Sequence, residues 1–564
     1  MRALRIAPWL LLALACDPPA PAADAGPDAS VTDAGPQLLL PRCEDIEAEG
    51  ADLLEPVAST LIGTIVPNEE RLATPMASMN PATERGELTY RELGLDRVSR
   101  GPGLDRVFRT DLGGDAPPDT GRRSIGWFVH YSDFQLVDDE SPARLARLDN
   151  AAIPGSLRAQ EAYLPRAISA MNRTLAELER DERPYDFGII TGDCADSGQA
   201  NELRWVLEVM NGTPGLHTDS GDDDDPIPGP GNDPKDPFDP VAFPAPWLYV
   251  TGNHDVLVVG ISLPDASFQA EAIGTDPSRG TRDYRRYFAP VTTAAIPADP
   301  ERRILDRTEI VAALLADTGE PGPPGHGYSA STDLTHGVNE AYDAIPGLLR
   351  ILMLDTNDDT GGSNGLVHRA AVDWLVGELE RAATDEVLVM LASHHSTTSI
   401  DVFRGQIGTE VVPDAVPPAE LEALVASHPN VIAWLVGHTH DNRVRAVQGA
   451  DAAHPGYWEI MTAAIADYPG QSRLLELVDN GDGTLSILGT VIDYDAADCM
   501  ERRFRRLLVM EWAAAWTDDV HQQPGDMNVE LVRELPSGLA ASVGAYAAAH
   551  GHDRIESETT LRGM

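Results

Sequence analysis

Residues 186–196, Asp-Phe-Gly-Ile-Ile-Thr-Gly-Asp-Cys-Ala-Asp, carry the strongest indication of architecture in the chain. The apolar half of this run predicts a short buried strand, and Asp193 and Asp196 follow it at once. In open α/β sheets, ligands bind beyond the carboxyl ends of the strands, where loops of this kind converge. The run therefore predicts a buried strand of an α/β sheet that ends in a polar loop.

Outward from this strand, short apolar strands alternate with amphipathic helices. The predicted strands are 124–132, 186–191, 246–251, 349–354, 386–392 and 430–436, and the predicted helices are 161–181, 198–210 and 368–382. After residue 455 the pattern changes to strands joined by tight turns. Short buried strands separated by helices are typical of an α/β layered fold, so we expect two sheets with flanking helices.

Polar side chains gather directly after five of these strands. The carboxylates, amide and imidazoles belong to Asp133, to Asp193 and Asp196, to Asn253 and His254, to His394 and His395, and to His438 and His440. Mixed oxygen and nitrogen ligands suit a pair of divalent metal ions. Two such ions close together neutralise phosphoryl oxygens and lower the pKa of a water between them. The residues alone thus favour metal-assisted chemistry on a phosphate ester.

The order of these motifs along the chain is similar to that of a known family. The chain resembles the calcineurin-like metallophosphoesterase superfamily over about 124–495. The resemblance is carried by five motifs in order: Ser-Asp-Phe-Gln, Gly-Asp-Cys-Ala-Asp, Gly-Asn-His-Asp, Ser-His-His-Ser and Gly-His-Thr-His. The resemblance implies a four-layer α/β/β/α sandwich with N- and C-terminal additions. It also implies hydrolysis of a phosphate mono- or diester, through attack of a hydroxide that bridges two metal ions, on a small phosphorylated substrate.

The resemblance assigns roles to individual residues. One metal would be held by Asp133, Gln135, Asp193 and His440, and the other by Asp193, Asn253, His394 and His438. Asp193 would bridge two divalent ions, which could be Mn, Fe or Zn. His254 has the family's place for orienting the phosphoryl group and assisting the leaving oxygen, and is the candidate catalytic residue. Asp196 and Asp255 are expected to brace the loops, and Cys194 to be apolar packing.

Two positions depart from the family's pattern. Gln135 stands where most members have His, and a Gln carbonyl is a weaker donor, so this metal position favours manganese or looser binding. The same variant resembles the manganese-dependent ADP-ribose/CDP-alcohol diphosphatase branch. Ser396 replaces a common Pro, which leaves open whether His394 or His395 is the ligand. Two alternatives accordingly stay beside the main hypothesis: a nucleotide diphosphatase, and a catalytically idle metal-binding surface protein.

Composition limits the partners. The 564 residues include 42 Lys+Arg and 90 Asp+Glu, for a net charge of −48. So acidic a chain repels phosphate backbones, which disfavours nucleic-acid binding through a basic face. Outside the N-terminus, no apolar run reaches the ~18 residues that span a bilayer, which excludes a polytopic membrane protein. The sequence predicts no oligomeric state.

The N-terminus has the features of an export signal. Arg2 and Arg5 precede an apolar run that ends in Ala13-Leu14-Ala15-Cys16, which is similar to a bacterial lipoprotein box. We expect a signal peptide over 1–15, a lipidated Cys16, and a disordered Pro/Ala/Asp tether over 16–42. The protein would then be exported and anchored at the periplasmic or cell surface, touching the membrane only through its lipid. Plain secretion is the alternative.

The remaining segments are assigned by composition. We expect an N-terminal extension over 43–120, a metallophosphoesterase domain over 121–497 and a C-terminal helical extension over 498–564. Residues 211–240 are predicted as a mobile, solvated acidic loop, with calcium binding by 222–225 as the sharper alternative. In an oxidising compartment Cys43 and Cys499 could pair, or both could be unpaired thiols.

Overall fold

The computed structural model describes residues 59–553, except 77, 150–156, 180–182, 222–223, 285–288, 333, 335–336, 518–519 and 521. Two large sheets dominate these residues, one of seven strands and one of six. Two small two-stranded sheets accompany them, formed by β1 (Gly63–Pro67) with β2 (Val98–Pro102) and by β7 (Thr281–Arg282) with β8 (Val291–Thr292).

The seven-stranded sheet has the order β3-β17-β16-β15-β4-β5-β6. Its strands are β3 (Val107–Leu112), β4 (Arg123–Tyr131), β5 (Phe187–Thr191), β6 (Trp247–Val250), β15 (Gln471–Asp479), β16 (Thr484–Asp493) and β17 (Val529–Glu534). Strands β4, β5 and β6 run parallel, so their carboxyl ends lie at one edge of the sheet. Strand β15 pairs antiparallel with β4.

The six-stranded sheet has the order β13-β14-β12-β11-β10-β9. Its strands are β9 (Glu340–Ile345), β10 (Leu349–Met353), β11 (Leu388–Ala392), β12 (Val431–Val436), β13 (Arg443–Asp451) and β14 (His454–Met461). The four central strands are parallel, and both edge strands are antiparallel to their neighbours.

Helices connect and cover the strands. They are α1 (Glu84–Glu92), α2 (Leu164–Leu178), α3 (Ala200–Met210), α4 (Asn253–Val256), α5 (Ala266–Ala272), α6 (Arg307–Ala316), α7 (Arg369–Thr384), α8 (Pro418–Ala426), α9 (Cys499–Ala513) and α10 (Ser537–His550). Helix α2 buries Ile168, Met171, Leu175 and Leu178, the spacing that predicted it. Within the described residues, none of the helices combines the length and apolarity that crossing a bilayer requires.

The side chains of β10 show how the layers are arranged. Ile351 and Met353 belong to a core cluster that also contains Phe128 of β4, whereas Leu352 belongs to a second cluster with Leu375 of α7. Because neighbouring residues of a strand point to opposite faces, one face of β10 meets the other sheet and the opposite face meets helices. The chain therefore forms an α/β sandwich, and the predicted fold class is confirmed.

Both predicted extensions contribute strands to the seven-stranded sheet. β17 lies in 498–564 and pairs with β3 from 43–120 and with β16. The predicted C-terminal extension contains the helices α9 and α10, and the alternating run Val-Glu-Leu-Val-Arg-Glu adds a strand between them that was not predicted from the sequence. Cys499 at the start of α9 is disulfide-bonded, and its predicted partner Cys43 lies outside the described residues, as does Cys16.

The acidic segment 211–240 packs against the sandwich, which corrects its interpretation as a solvated loop. Lys235, the one lysine of the sequence, is 3% exposed. Its Nζ donates to Asp139 Oδ1 over 2.8 Å, to the Glu140 carboxylate and to the Thr218 carbonyl. A buried ammonium with carboxylate partners ties the segment to the loop after β4. Of the four aspartates at 222–225, Asp222 and Asp223 lie outside the described residues.

Candidate metal centre

The site forms where loops from both sheets meet. Asp133 and Gln135 follow β4, Asp193 follows β5, and Asn253 begins α4 just after β6. From the other sheet, His394 follows β11, and His438 and His440 follow β12. Strands β4, β5 and β6 are parallel to one another, as are β11 and β12, so the carboxyl ends that carry the candidate ligands lie at one edge of each sheet.

Asp133, Asp193 and His394 form the centre of the site. The Nε2 atom of His394 lies 3.1 Å from Asp193 Oδ2 and 3.9 Å from Asp133 Oδ1. His440 Nε2 lies 3.3 Å from the same Asp133 oxygen. The backbone N–H of His438 donates to Asp133 Oδ2 over 3.1 Å, and its ring centre lies 5.1 Å from that of His394. The structure thus brings together side chains that the sequence placed in four separate loops.

Two imidazoles are oriented by acceptors on their far side. His394 Nδ1 donates to the Thr191 carbonyl over 2.8 Å, and His440 Nδ1 donates to Asp467 Oδ2 over 2.6 Å. Because a carbonyl or a carboxylate oxygen only accepts, Nδ1 carries the hydrogen in both rings. Each Nε2 then presents a lone pair to the centre, which is the arrangement that a metal-ligating histidine needs.

Four buried polar atoms of the candidate ligands form no hydrogen bond. Within the described part of the chain, Asp133 Oδ1, Gln135 Oε1, Asn253 Oδ1 and His394 Nε2 are buried and accept or donate no hydrogen bond. Asn253 Nδ2 donates to the Gly260 carbonyl over 2.9 Å, and its Oδ1 is a buried acceptor that receives no hydrogen bond. Unsatisfied buried polar atoms are rare in folded proteins. This set of oxygen and nitrogen donors fits divalent cations.

The neighbouring histidines 394 and 395 differ in how their nitrogens are used. His395 Nδ1 lies 2.9 Å from Thr356 Oγ1, and its Nε2 donates to the Ser363 carbonyl over 3.0 Å. Although a nitrogen of His395 lies within 4.8 Å of His394 and His438, both of its nitrogens are engaged elsewhere. His394 keeps Nε2 unengaged. The geometry therefore favours His394 over His395 as the ligand.

The site is strongly anionic, and the histidine pKa values respond to it. Burial is the largest single influence on the pKa of His394 and lowers it, but the Asp193 and Asp133 carboxylates and the Thr191 carbonyl together outweigh burial and raise this pKa to about 9. In the same way, Asp133 and Asp467 overcome burial and raise the pKa of His440 to about 10. Burial together with His394 lowers the pKa of His438 to about 3. Positive charge is therefore favoured between Asp133 and Asp193, as a proton or as a bound cation.

Backbone strain is concentrated at the same residues. Of the ten non-glycine residues with positive φ in the described chain, five are proposed ligands: Asp133, Gln135, Asp193, His438 and His440. Such conformations cost about 1–3 kcal/mol each and persist where the surroundings enforce them. Close approach also depends on Gly437, where a Cβ atom would lie 1.9 Å from Ser132 Oγ and 2.7 Å from Asp133 Oδ2. Only glycine lets the β12 loop reach the β4 loop.

His254 lies at the open side of the site. Its backbone N–H donates to Asp193 Oδ1 over 2.8 Å, and its Nδ1 donates to the Asp196 carbonyl, also over 2.8 Å. Its side chain is 16% exposed and that of His440 is 20% exposed, whereas His394 is fully buried. Asp255 braces the loop by accepting from the Gly252 and Ala195 backbones. The site is therefore open to solvent beside His254 and His440.

Sequence reasoning missed two residues behind the site. Asp467 accepts from His440, and Arg158 forms ion pairs with both Asp196 and Asp467. Neither residue belongs to a motif or directly follows a strand of the predicted sheet. Only the folded arrangement brings them to the ligands.

One run of the sequence matches the motif of serine hydrolases, but it does not adopt the structure that the motif requires. Residues 361–365, Gly-Gly-Ser-Asn-Gly, fit the G-x-S-x-G pattern, which requires a sharp turn directly from a strand into a helix. This run is separated from both the end of β10 at Met353 and the start of α7 at Arg369. It supplies instead the carbonyl that accepts from His395.

Comparison with known proteins finds similarity among solved structures. No family model matches the chain, and no curated protein matches it. A solved dimetal phosphatase from Danio rerio is similar at 11% identity and a TM-score of 0.33, over 66% of this chain and 99% of that chain. A likeness at that TM-score carries no argument, so the functional conclusion depends on the site itself.

Proposed function

We propose that the protein is a metal-dependent phosphoesterase. The observation that carries the proposal is the set of four buried, unpartnered donor atoms on Asp133, Gln135, Asn253 and His394, contributed by both sheets. The first three belong to loops of one sheet and the last to the other. Carboxylate, amide and imidazole donors around a shared carboxylate suit two divalent cations better than any neutral ligand.

The residues divide into two ligand sets around Asp193. In this proposal Asp133, Gln135 and His440 would hold one cation with Asp193, and Asn253, His394 and His438 would hold the other. When bound, two cations supply charge neutralisation for the phosphoryl oxygens and a more acidic water. The protein's part is to hold these donors in strained, fixed positions, so that little reorganisation is needed during the reaction.

His254 is proposed to hold and deliver a proton at Nε2. Its Nδ1 is committed to the Asp196 carbonyl, so Nε2 is the nitrogen that remains for the substrate. Burial is the largest single influence on the pKa of His254 and lowers it, but the Asp193 and Asp196 carboxylates together outweigh burial, so the pKa is raised. The protonated ring donates to the leaving oxygen, which avoids release of a free alkoxide.

The substrate is proposed to be a small phosphate mono- or diester, with a nucleotide diphosphate as the alternative. A panel under Mn²⁺ would compare p-nitrophenyl phosphate, bis-p-nitrophenyl phosphate and ADP-ribose. The compound with the highest kcat/KM identifies the substrate class as a monoester, a diester or a nucleotide diphosphate. Absence of hydrolysis of all three, in protein loaded with Mn²⁺, Fe²⁺ or Zn²⁺, would contradict the proposed function.

The ligand set is tested by Asp193→Asn. Loss of the bridging charge should lower the metal content. It should also reduce kcat/KM by more than about 100-fold, which exceeds the loss caused by replacing a residue that only supports a ligand. Asp343→Asn is the matched control, because Asp343 is half exposed and pairs with Arg350 at the far edge strand β9. It should keep full metal content and activity.

A catalytically idle metal-binding protein is the second candidate. The substitution of Gln135 for an imidazole donor is the feature that favours it. Metal analysis and hydrolysis assays on the same preparation separate the two, because the idle protein would retain two equivalents of metal and hydrolyse nothing. Hydrolysis that is lost together with the metal in Asp193→Asn excludes it.

We also propose export as a lipoprotein that touches the membrane only through its anchor. The support is the lipoprotein-like run ending at Cys16 and the Pro/Ala/Asp run after it, both in residues that the structure does not describe. Labelling with radioactive palmitate should mark the wild-type chain and not Cys16→Ser. Unlabelled wild-type protein found outside the cells would indicate plain secretion.

A further inference from the structure

Arg158 lies buried behind the candidate metal centre, between two carboxylates. Its Nη1 donates to Asp196 Oδ1 over 2.9 Å, and its Nε lies 3.4 Å from Asp467 Oδ1. Only 5% of its side chain is exposed. Since Asp196 follows β5 and Asp467 lies just before β15, one guanidinium connects loops from different parts of the chain.

Each of these carboxylates also contacts a histidine of the site. His254 Nδ1, which donates to the Asp196 backbone carbonyl over 2.8 Å, also lies 3.3 Å from the carboxylate oxygen Oδ1 of the same residue. Asp467 Oδ2 accepts from His440 Nδ1 over 2.6 Å. The contacts therefore form one continuous series, from His254 through Asp196, Arg158 and Asp467 to His440. The two ends of this series are the two partly exposed histidines at the open side of the site.

The chemistry of arginine suits this position. A guanidinium is planar and offers donors in several fixed directions, so it pairs with two carboxylates at once. A lysine ammonium is a compact point charge and cannot hold both carboxylates in the same orientation. Removal of the guanidinium leaves two buried carboxylates free to turn, and the imidazoles that they orient turn with them.

We propose that Arg158 is a positioning residue that fixes His254 and His440 together through Asp196 and Asp467. This inference rests on the proposed function. It adds that the proton-delivering His254 and the metal-ligating His440 both depend on one guanidinium, which belongs to none of the sequence motifs. Arg158 touches neither the substrate nor the cations, and acts only through the two carboxylates.

The test is Arg158→Lys, assayed with two monoesters that differ in their leaving group. Alkyl phosphates need a proton on the leaving oxygen, whereas p-nitrophenolate leaves without one. Misplacement of His254 should therefore lower kcat on an alkyl phosphate by about 10- to 100-fold, with a smaller loss on p-nitrophenyl phosphate and KM changed little. Misplacement of His440 should also reduce the Mn²⁺ content measured by metal analysis.

Arg282→Lys is the matched control. Arg282 is equally buried and equally paired, with Asp149 and Glu161, but neither of those carboxylates contacts a site histidine in the described contacts. A loss of thermal stability without a change in the ratio of the two monoester activities is expected. Equal losses on both substrates in Arg158→Lys, as in Arg282→Lys, would show a merely structural role and overturn the inference.

Two further measurements keep the inference falsifiable. If Arg158→Lys does not fold, Asp467→Asn and Asp196→Asn replace it: the first should reduce Mn²⁺ content, and the second should produce the leaving-group dependence. The reverse pattern, or no pattern, would overturn the inference. If the wild-type protein cleaves only diesters, the same comparison is made with an alkyl and a p-nitrophenyl phosphodiester. Wild-type protein that hydrolyses no monoester, diester or ADP-ribose would instead overturn the proposed function together with the inference, so the two failures are distinguishable.

Discussion

His394 Nε2 lies 3.1 Å from Asp193 Oδ2, and the two residues belong to loops of different sheets. The candidate site is therefore a product of the packing of the two sheets. Neither sheet carries a full set of ligands, since the carboxylates and the amides come from one and the imidazoles of His394, His438 and His440 from the other.

The choice between the adjacent histidines gives the first prediction. His394→Gln should lower Mn²⁺ content by about one of the two equivalents and abolish hydrolysis, because its Nε2 faces Asp193. His395→Gln should keep both equivalents, because its nitrogens contact Thr356 and Ser363 instead. Metal analysis after dialysis, with a thermal melt for folding, measures this. Loss of metal only in the 395 variant would reverse the assignment.

The second prediction concerns Gly260, which packs against the open side of the site. Its φ is +67°, and a Cβ there would lie 2.4 Å from His254 Nε2 and 2.5 Å from Asn253 Nδ2. Gly260→Ala should displace both and lower kcat by about 100-fold, the effect of misplacement by about 1 Å. Gly347→Ala is the control, with a φ of +76° and open space around it. Equal activities would contradict the prediction.

The third prediction concerns metal preference at Gln135. Its Oε1 is a buried acceptor without a partner, and its Nε2 lies 3.3 Å from Asp193 Oδ2. Gln135→His should raise the affinity for Zn²⁺ relative to Mn²⁺, because imidazole is a better ligand than an amide oxygen for a borderline cation. Competition dialysis with both metals measures the ratio. An unchanged ratio would show that Gln135 does not bind a cation.

The fourth prediction concerns pH and His368, at the start of α7. Its Nε2 lies 3.2 Å from Asp359 Oδ1 and its Nδ1 2.9 Å from Asp414 Oδ2. The hydrogen bond to Asp359 is the main cause that raises its pKa to about 9. A raised folded-state pKa stabilises the protein fully below about 6.5, and that stability is lost as the pH rises through about 9.

His368→Gln should therefore lower the free energy of unfolding at pH 6 and not at pH 10. The difference should stay below about 1 kcal/mol, because the ion pairs are partly exposed to solvent. Urea denaturation of both proteins at the two pH values measures it. A difference of the same size at both pH values would show that packing, and not charge, is responsible.

The fifth prediction concerns the buried Lys235. Lys235→Met should leave Asp139 and Glu140 buried without their cation, and destabilise the protein by about 3–5 kcal/mol. The control is Arg204→Ala, which removes an exposed pair with Glu208 and should cost less than about 0.5 kcal/mol. Thermal melts compare the two. A small effect at Lys235 would indicate that the acidic segment is not held by this residue.

The sequence predicted the alternation of strands and helices and the polar loops at the strand ends. Those features are local, because a buried strand is apolar along its whole length and a ligand directly after it stands out. Asp133 and Asn253 could be selected in this way. Which of His394 and His395 turns a nitrogen toward the candidate site depends on the contacts of His395 with Thr356 and Ser363. These contacts are between distant segments, so the sequence around the two histidines does not indicate the choice.

Other features were missed because they depend on contacts between distant segments. Arg158 and Asp467 belong to no motif, and their positions behind the site follow only from the packed fold. The acidic segment has the Pro/Gly-rich composition of a solvated loop, yet one lysine anchors it. β3 and β17 are short strands from opposite ends of the chain that pair with each other.

Strand β4, which carries Asp133 and Gln135, pairs with β15 on one side and with β5 on the other. Ribosomal synthesis delivers β15 long after β4, and the strands beyond it later still. A nascent chain that lacks its last third cannot complete this sheet. The proposed site can consequently form, and take up cations, only after β15, β16 and β17 have been added to the sheet.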